Sequence, residues 1–388
     1  MPIWWYSYFV NDVYRHSRIQ FVLWAIAWVG VACSPPQSAK PTATPIPPHR
    51  SDVTYPSLSP EKGERGRQPF SHRFKFEGES YKVSVSLDTA VLAAARGAKK
   101  VVKMVTPVPK DEWRAGLQWA LIGDPALASF YKGLSSKLRA IKKRAGLDDD
   151  RFAELISNFV QSIDYCSAPD QPPKYPIETL ADRCGDCDDK SRLLAGLLHH
   201  EGYDVALLVF EKENHMAVGI RVPDEGFMGS GYAYIETTSP SYIGFPSYEY
   251  SEVKLNTTPA LVLLGERPKG FGKSVQVRFL YDTLNQEREK AETCQRQLRR
   301  SQQKLESLKA EYESLGAALD KGKGTLEAEA YNDLVDETNR AGDKFNRQVA
   351  AHNELVQQNN RSADIVSLIF DHPDNRHGVY LKVRSLLK

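Results

Sequence analysis

Three side chains between residues 175 and 240 are of the types that a nucleophilic cysteine site needs. Cys187 stands in the run GDCDDKS, His215 opens the run HMAVGI, and Glu236 lies in YAYIETTSP. A thiol can attack a carbonyl carbon, an imidazole can accept the thiol proton, and a carboxylate can orient the imidazole. These residue types, in this order, predict acyl chemistry through Cys187, His215 and Glu236.

A predicted helix and three predicted strands must position these groups. The residues after Cys187 carry an apolar stripe of leucines and end at Gly202, which predicts a helix that starts at or near Cys187. The runs DVALLVF, HMAVGI and YAYIETT are typical of strands. A helix N-terminus stabilises a thiolate, so we expect a lowered pKa for Cys187, although Asp188 and Asp189 oppose this effect.

The residues before this stretch predict further strands and helices. The runs HRFKF and YKVSVSL alternate apolar and polar residues on either side of Gly78, which predicts a β-hairpin. Residues 90–148 favour helices, interrupted near Pro107 and at Gly123-Asp124-Pro125. Apolar residues then recur at helical spacing from Phe152 to Ile163. This part of the chain therefore combines a predicted hairpin with several predicted helices.

Taken together, these runs resemble the transglutaminase-like cysteine enzyme superfamily, in its microbial exported branch. The resemblance covers roughly residues 70–249 and rests on the runs HRFKFEGESYKVSVSL, FVQSIDY, YPIETL, GDCDDKS, LLAGLLHHEGYDVALLVF, HMAVGI and YIETTSP. It implies a papain-like α+β fold, with Cys187 as nucleophile, His215 as general base and acid, and Glu236 orienting the imidazole. Glu236 departs from the superfamily, in which aspartate is commoner.

The expected reaction is cleavage of a peptide or protein amide through a thioester on Cys187, with no cofactor. The backbone N–H of Cys187 is the obvious oxyanion donor, and the Gln161 amide is a candidate second donor. Water as acyl acceptor gives an amidase or protease, and an amine gives a transamidase. A non-catalytic interaction or scaffold protein is the remaining alternative.

The five cysteines need separate explanations. Cys184 and Cys187 form a C-x-x-C pair, but the context favours neither a redox motif nor a zinc site that uses His199 and His200. We therefore expect no metal. In an exported protein, Cys166 and Cys184 could pair instead, closing a loop of under twenty residues and adding about 3 kcal/mol of stability. That pairing would leave Cys187 free.

The N-terminal residues predict export. Arg15 and Arg18 precede an apolar run of about 14 residues, and the run ends in GVAC at Cys33. We expect residues 1–33 to be a signal peptide or membrane anchor, with Cys33 as a lipidation candidate. The Pro-rich residues 34–68 then predict a linker. The chain would lie in the cell envelope (periplasm), on the exported side of the cytoplasmic membrane. Its net charge of +2 gives no reason to expect nucleic acid.

The C-terminal third has a different composition. Two heptad seams, separated by DKGKG, predict a coiled-coil helical hairpin over residues 281–360. An oligomeric coiled coil, with Cys294 bridging chains, is the alternative and would supply a coiled-coil partner. Residues 361–388 form an apolar C-terminal segment. The predicted architecture is thus a transglutaminase-like domain over residues 69–280, followed by this hairpin.

Overall fold

The computed structural model describes residues 41–47, 50–61, 66–167, 171–245 and 255–388. The predicted signal or anchor segment 1–33, its lipidation candidate Cys33 and the start of the linker lie outside the described residues. Within the described part of the chain, no helix is long and apolar enough to span a membrane. The chain divides into two compact units, of which the second comprises Asp282–Asp371. The first, hereafter the site unit, runs to Tyr281 and includes His372–Lys388.

Eleven strands and nine α-helices are found in the described residues. The strands are β1 (Ala43–Thr44), β2 (Val53–Thr54), β3 (Arg67–Phe76), β4 (Glu79–Asp88), β5 (Lys103–Met104), β6 (Asp164–Tyr165), β7 (Cys184–Gly185), β8 (Val205–Phe210), β9 (His215–Arg221), β10 (Tyr232–Ile235) and β11 (Ala260–Leu263). The helices are α1 (Thr89–Gly97), α2 (Lys110–Ile122), α3 (Ala128–Ala145), α4 (Asp149–Gln161), α5 (Pro176–Asp182), α6 (Cys187–His200), α7 (Ser274–Gly322), α8 (Ala328–Phe370) and α9 (Arg376–Leu386). The expected mixed α+β class with a long helical C-terminal region is confirmed.

The central sheet of the site unit has five strands in the order β1-β11-β8-β9-β10. From β11 through β8 and β9 to β10, each strand is antiparallel to its neighbour, and β1 pairs in parallel with β11. Strands β8 and β9 consist largely of apolar residues, so they can be buried along almost their whole length. Helix α6 packs on these two strands. The sheet therefore lies directly beneath the helix that begins with Cys187.

The predicted β-hairpin is confirmed. Strands β3 and β4 pair over ten residues each, from Arg67 opposite Asp88 to Phe76 opposite Glu79. The two turn residues, Glu77 and Gly78, have φ angles of 51° and 80°. Positive φ at both positions is the geometry of the turn that matches the twist of a hairpin. Phe74, Phe76 and Val83 supply the buried face.

Part of the predicted linker belongs to the site unit, which is a correction of the boundary at residue 69. Strand β1 pairs with β11, and β2 pairs with β5. The Leu58 N–H donates to Asp124 Oδ2 at 2.8 Å. Prolines exclude a central strand but leave an edge strand available, since only one side of an edge strand is hydrogen bonded. Strands β1 and β2 and Leu58 thus lie against the rest of the site unit, although the sequence predicted a linker.

The second unit is an antiparallel pair of long helices, as the heptad seams predict. Glu287 of α7 bonds Ser362 of α8, and Ser301 bonds Gln348. As the residue number rises along α7, the residue number of the bonded partner on α8 falls, so the two helices are antiparallel. Helix α8 extends to Phe370, ten residues beyond the predicted end of the hairpin. Cys294 is buried, and its thiol is free.

The end of the chain packs in the site unit. Helix α9 buries Arg376, Val379 and Val383. The Arg376 guanidinium pairs with the Glu154 carboxylate of α4, and both side chains are almost completely buried. The predicted single segment 361–388 is therefore two parts, the end of α8 and a helix that supports α4.

Candidate active site

Cys187 is the first residue of α6, as the sequence predicts. Asp186 caps the helix, and its Oδ1 accepts the Asp189 N–H at 2.8 Å. Gly185 lets the preceding strand approach the first turn, since a Cβ at this position would lie 2.8 Å from the Asp189 Cβ. The residues flanking Cys187 thus place the thiol at a helix start, where the first N–H groups have no partner within the helix.

The environment of the Cys187 thiol is different from the one expected. Its Sγ lies 3.6 Å from Asp188 Oδ1 and 4.0 Å from the Asn214 carbonyl oxygen. Burial, reinforced by the Asp188 and Asp186 charges, raises the pKa of the thiol to about 12, although a hydrogen bond from the Met216 N–H opposes the increase. The expectation of a lowered pKa is therefore corrected: the resting group is a neutral thiol.

His215 and Glu236 are brought together at the neighbouring ends of β9 and β10. His215 is the first residue of β9, and Glu236 follows the last residue of β10 directly. His215 Nε2 lies 3.6 Å from Glu236 Oε2. The Tyr234 hydroxyl is closer to both groups, at 3.2 Å from His215 Nε2 and 2.6 Å from Glu236 Oε2. All three side chains are buried.

The Glu236 carboxylate is surrounded by hydrogen-bond donors. Oε1 accepts the Thr237 N–H and the Thr238 N–H, each at 2.9 Å, and the Thr238 hydroxyl at 2.7 Å. Burial raises the pKa of Glu236, but the neighbouring His215 imidazole and the hydrogen bonds from Tyr234 and Thr238 outweigh burial and hold the pKa at about 2. The carboxylate is therefore ionised at neutral pH.

Gln161, the candidate oxyanion donor, has its amide engaged elsewhere. Its Nε2 donates to the carbonyl oxygens of Glu236 at 2.8 Å and Ser241 at 3.1 Å. Its Oε1 accepts the Ser241 N–H at 3.3 Å. A primary amide has only two N–H groups, so neither remains for an oxyanion. The side chain instead ties the end of α4 to the backbone of Glu236.

A second network joins α6 to the strands that carry His215 and Glu236. The Ser191 hydroxyl donates to the Met216 carbonyl oxygen at 3.0 Å and lies 3.1 Å from the Thr237 hydroxyl. Ser191, Met216 and Thr237 are all buried. Buried hydrogen bonds that satisfy every partner restrict the relative positions of the elements they join. Helix α6 is therefore held in register with β9 and β10.

Cys166 and Cys184 form a disulfide with an 18-residue separation, leaving Cys187 as a free thiol. Cys184 lies in β7, which pairs in parallel with β6. The bond closes the loop that precedes α6. Because the Cys184 sulfur is bonded to Cys166, Cys184 cannot form a redox pair with Cys187. For the same reason, the two residues cannot bind a metal ion together.

Lys190 is a buried cation next to the site. It is completely buried, and its Nζ donates to the carbonyl oxygens of Gln161 at 3.2 Å and Ile163 at 2.6 Å. These carbonyls lie at the end of α4, where a cation is favourable. Burial lowers the pKa of Lys190 to about 8, against the opposing charges of Glu236 and Asp164.

The free energy of unfolding is expected to rise by about 2 kcal/mol between pH 8 and pH 10 because of Lys190. Its pKa in the folded chain, about 8, lies below the ordinary value of 10.5. In this range the unfolded chain binds more protons, so stability increases with pH. Over this range, urea unfolding should show the free energy of unfolding of wild type and of the exposed-lysine variant Lys137→Met rising by about 2 kcal/mol relative to that of Lys190→Met, since the other titrating groups, such as Cys187, are shared by all three chains. The same pH dependence in Lys190→Met as in wild type would contradict the assignment.

Comparison with known proteins gives no family for the chain: no family model, no curated protein and no solved structure matches it.

Two residues of this site were not singled out from the sequence. Tyr234 precedes Glu236 by two positions, and side chains at i and i+2 of a strand share a face. The run YIE therefore indicates that the Tyr234 and Glu236 side chains lie next to each other. Lys190 lies three residues after Cys187 on the helix, and a lysine between two acidic residues and a leucine run gives no sign of burial. Its role depends on α4, which is distant in sequence.

Proposed function

We propose that the chain is a cysteine amidase or protease of the transglutaminase-like type, with a papain-like site unit. The observation that carries the proposal is the hydrogen-bonded group of His215, Tyr234 and Glu236 beside a helix-start cysteine. A base with an ionised orienting group, next to a potential nucleophile, has the parts that acyl transfer requires. The resemblance of the runs around Cys187, His215 and Glu236 to that superfamily supports the same reaction class.

The proposed reaction has two stages. The Cys187 thiol gives its proton to His215, and the sulfur attacks the amide carbonyl carbon. The C–N bond then breaks, His215 protonates the leaving amine, and a thioester remains on Cys187. Water, deprotonated by His215, attacks the thioester carbonyl; the C–S bond breaks, the acid is released, and His215 returns the proton to the Cys187 sulfur. The backbone N–H of Cys187, at the start of α6, is the proposed donor to the oxyanion.

The resting thiol sets a requirement on this mechanism. Its hydrogen bonds join Asp188, Asn214 and Met216, and no described hydrogen bond joins it to His215. The thiol must therefore leave these partners and meet the imidazole when a substrate binds. Catalytic hydrogen bonds commonly tighten only in the substrate complex. The lack of a described hydrogen bond between the resting thiol and His215 also favours a second candidate function, that of a non-catalytic interaction module.

The cellular setting is also a proposal. Residues 15–33 have the charge and apolar pattern of an export segment. We place the site unit on the exported side of the cytoplasmic membrane, attached through a lipid on Cys33 or an uncleaved anchor. The disulfide between Cys166 and Cys184 suits an oxidising compartment.

The proposed function is tested with p-nitrophenyl acetate as a general acyl donor and glycinamide as a competing amine. A hydrolase converts the donor mainly to acetate, with p-nitrophenolate released faster than in buffer. A transamidase forms mainly N-acetylglycinamide, which would contradict the hydrolase assignment. Release at the buffer rate from both wild type and Cys187→Ala would contradict both enzyme assignments and leave the interaction module.

A further inference from the structure

Tyr234 lies between the imidazole and the carboxylate of the proposed triad. Its hydroxyl is 3.2 Å from His215 Nε2 and 2.6 Å from Glu236 Oε2. The direct distance from Nε2 to Oε2 is 3.6 Å, which is too long for a hydrogen bond. The shortest connection between His215 and Glu236 therefore runs through the phenol.

The donors around Glu236 determine the direction of this connection. Oε1 accepts two backbone N–H groups and the Thr238 hydroxyl. An ionised carboxylate can only accept, so the single Tyr234 proton points to Oε2. The phenol oxygen must then accept from His215, and the neutral ring carries its proton on Nε2. This leaves Nδ1 as the basic nitrogen of the imidazole.

We propose that Tyr234 is the positioning residue through which Glu236 orients His215 and holds the Nε2-protonated tautomer. Its catalytic consequence rests on the proposed function, whereas the tautomer is a property of the free protein. Glu236 thus acts on the imidazole in two ways. It aligns the Tyr234 phenol, and because it accepts the phenol proton, it leaves the phenol oxygen to accept the hydrogen bond from His215 Nε2. The phenol ring itself is fixed by Phe210 and Phe227, whose centroids lie 6.4 and 5.3 Å away.

Tyr232 provides a matched control on the same strand. It is also buried, and its hydroxyl donates to Asp204 Oδ1 at 2.9 Å and accepts from Arg221 Nη2 at 2.9 Å. Tyr232→Phe therefore removes an equivalent buried phenol–carboxylate bond from β10. Since that bond does not involve His215, a general loss of packing or stability would be shared by the two variants.

The test measures the tautomer of His215 in the full chain by nitrogen NMR with ¹⁵N-labelled histidine. Spectra are recorded at a pH above the range in which the His215 nitrogen signals change, so that the neutral ring is observed. The His215 signals are identified by their loss in His215→Ala. We expect the Nε2-protonated form in wild type and in Tyr232→Phe, and a mixture of tautomers in Tyr234→Phe. The Nδ1-protonated form in wild type, or an unchanged Nε2 form in Tyr234→Phe, would overturn the proposal.

Glu236→Gln supplies a second variant that keeps the phenol. The amide oxygen is expected to stay with the Thr237 and Thr238 N–H groups, so its NH₂ faces Tyr234. The phenol then donates to His215, and the ring is expected to switch to the Nδ1-protonated form. Retention of the Nε2 form in this variant would also overturn the proposal, even if Tyr234→Phe did not fold.

Acylation by p-nitrophenyl acetate gives the catalytic readout. We expect Tyr234→Phe to lower the acylation rate constant by about tenfold or more, and Tyr232→Phe to change it less than about twofold. An equal loss in both variants would overturn the positioning role. If wild type is not acylated at all, the proposed function fails, whereas the tautomer measurements still decide the structural part of the inference.

Discussion

Replacing Cys187 by alanine is expected to reduce p-nitrophenolate release from p-nitrophenyl acetate to the rate of protein-free buffer. Replacing His215 by alanine is expected to slow acylation by about 10²–10⁴-fold. The first variant removes the nucleophile. The His215→Ala variant is slow because the pKa of the Cys187 thiol, raised to about 12 by burial and by Asp188, leaves little thiolate at neutral pH. Attack therefore depends on proton transfer to the imidazole during the reaction.

The chain offers controls for both substitutions. Cys294 is the other free cysteine among the described residues, and His377 is an exposed histidine on α9. Cys294→Ser and His377→Ala should acylate at the wild-type rate. Equal acylation of wild type, Cys187→Ala and His215→Ala would show that the ester reacts elsewhere on the surface. That result would remove the support for a nucleophilic Cys187.

Replacing Arg376 by methionine is expected to lower the free energy of unfolding by about 3–5 kcal/mol at pH 7. Its guanidinium donates to both carboxylate oxygens of Glu154 and to Gln276 Oε1. Burial raises the pKa of Glu154 even against the charge of Arg376. Without the arginine, the carboxylate must remain buried as an unpaired charge or take up a proton, and either change costs stability. Urea unfolding measures the loss.

A double variant separates this charge effect from lost packing. Removing both charges, in Glu154→Leu/Arg376→Met, is expected to restore a large part of the stability, since no unpaired carboxylate remains. Arg384→Met, on the exposed side of the same helix, should change stability by less than about 0.5 kcal/mol. A loss below about 1 kcal/mol in Arg376→Met, or no recovery in the double variant, would contradict the account.

Local patterns predicted the elements that carry the site. The leucine stripe that ends at Gly202 predicted a helix starting at or near Cys187, and the alternation of β3 and β4 predicted the hairpin. His215 was predicted at the start of a strand and is found there. These predictions succeed because helix capping and strand alternation are determined by residues that lie near one another in sequence.

Features that depend on distant residues were not predicted. The Gln161 amide is bonded to residues 75 and 80 positions away, which its own helical spacing does not reveal. The raised pKa of Cys187 results mainly from burial, a property of the packed chain. Strand β1 pairs with β11, more than 200 residues later, so composition alone indicated a free linker. Burial and long-range pairing are set by the whole fold.

The central claim is that Cys187 accepts an acyl group under the control of His215, and peptide mass mapping tests it most directly. The full chain is mixed with p-nitrophenyl acetate, quenched in acid after one turnover time and digested without reduction. The account predicts an acetyl thioester on Cys187 that hydroxylamine removes, present in wild type and strongly reduced in His215→Ala. Acetylation confined to lysines, with the Cys187 peptide unmodified in wild type, would contradict the account.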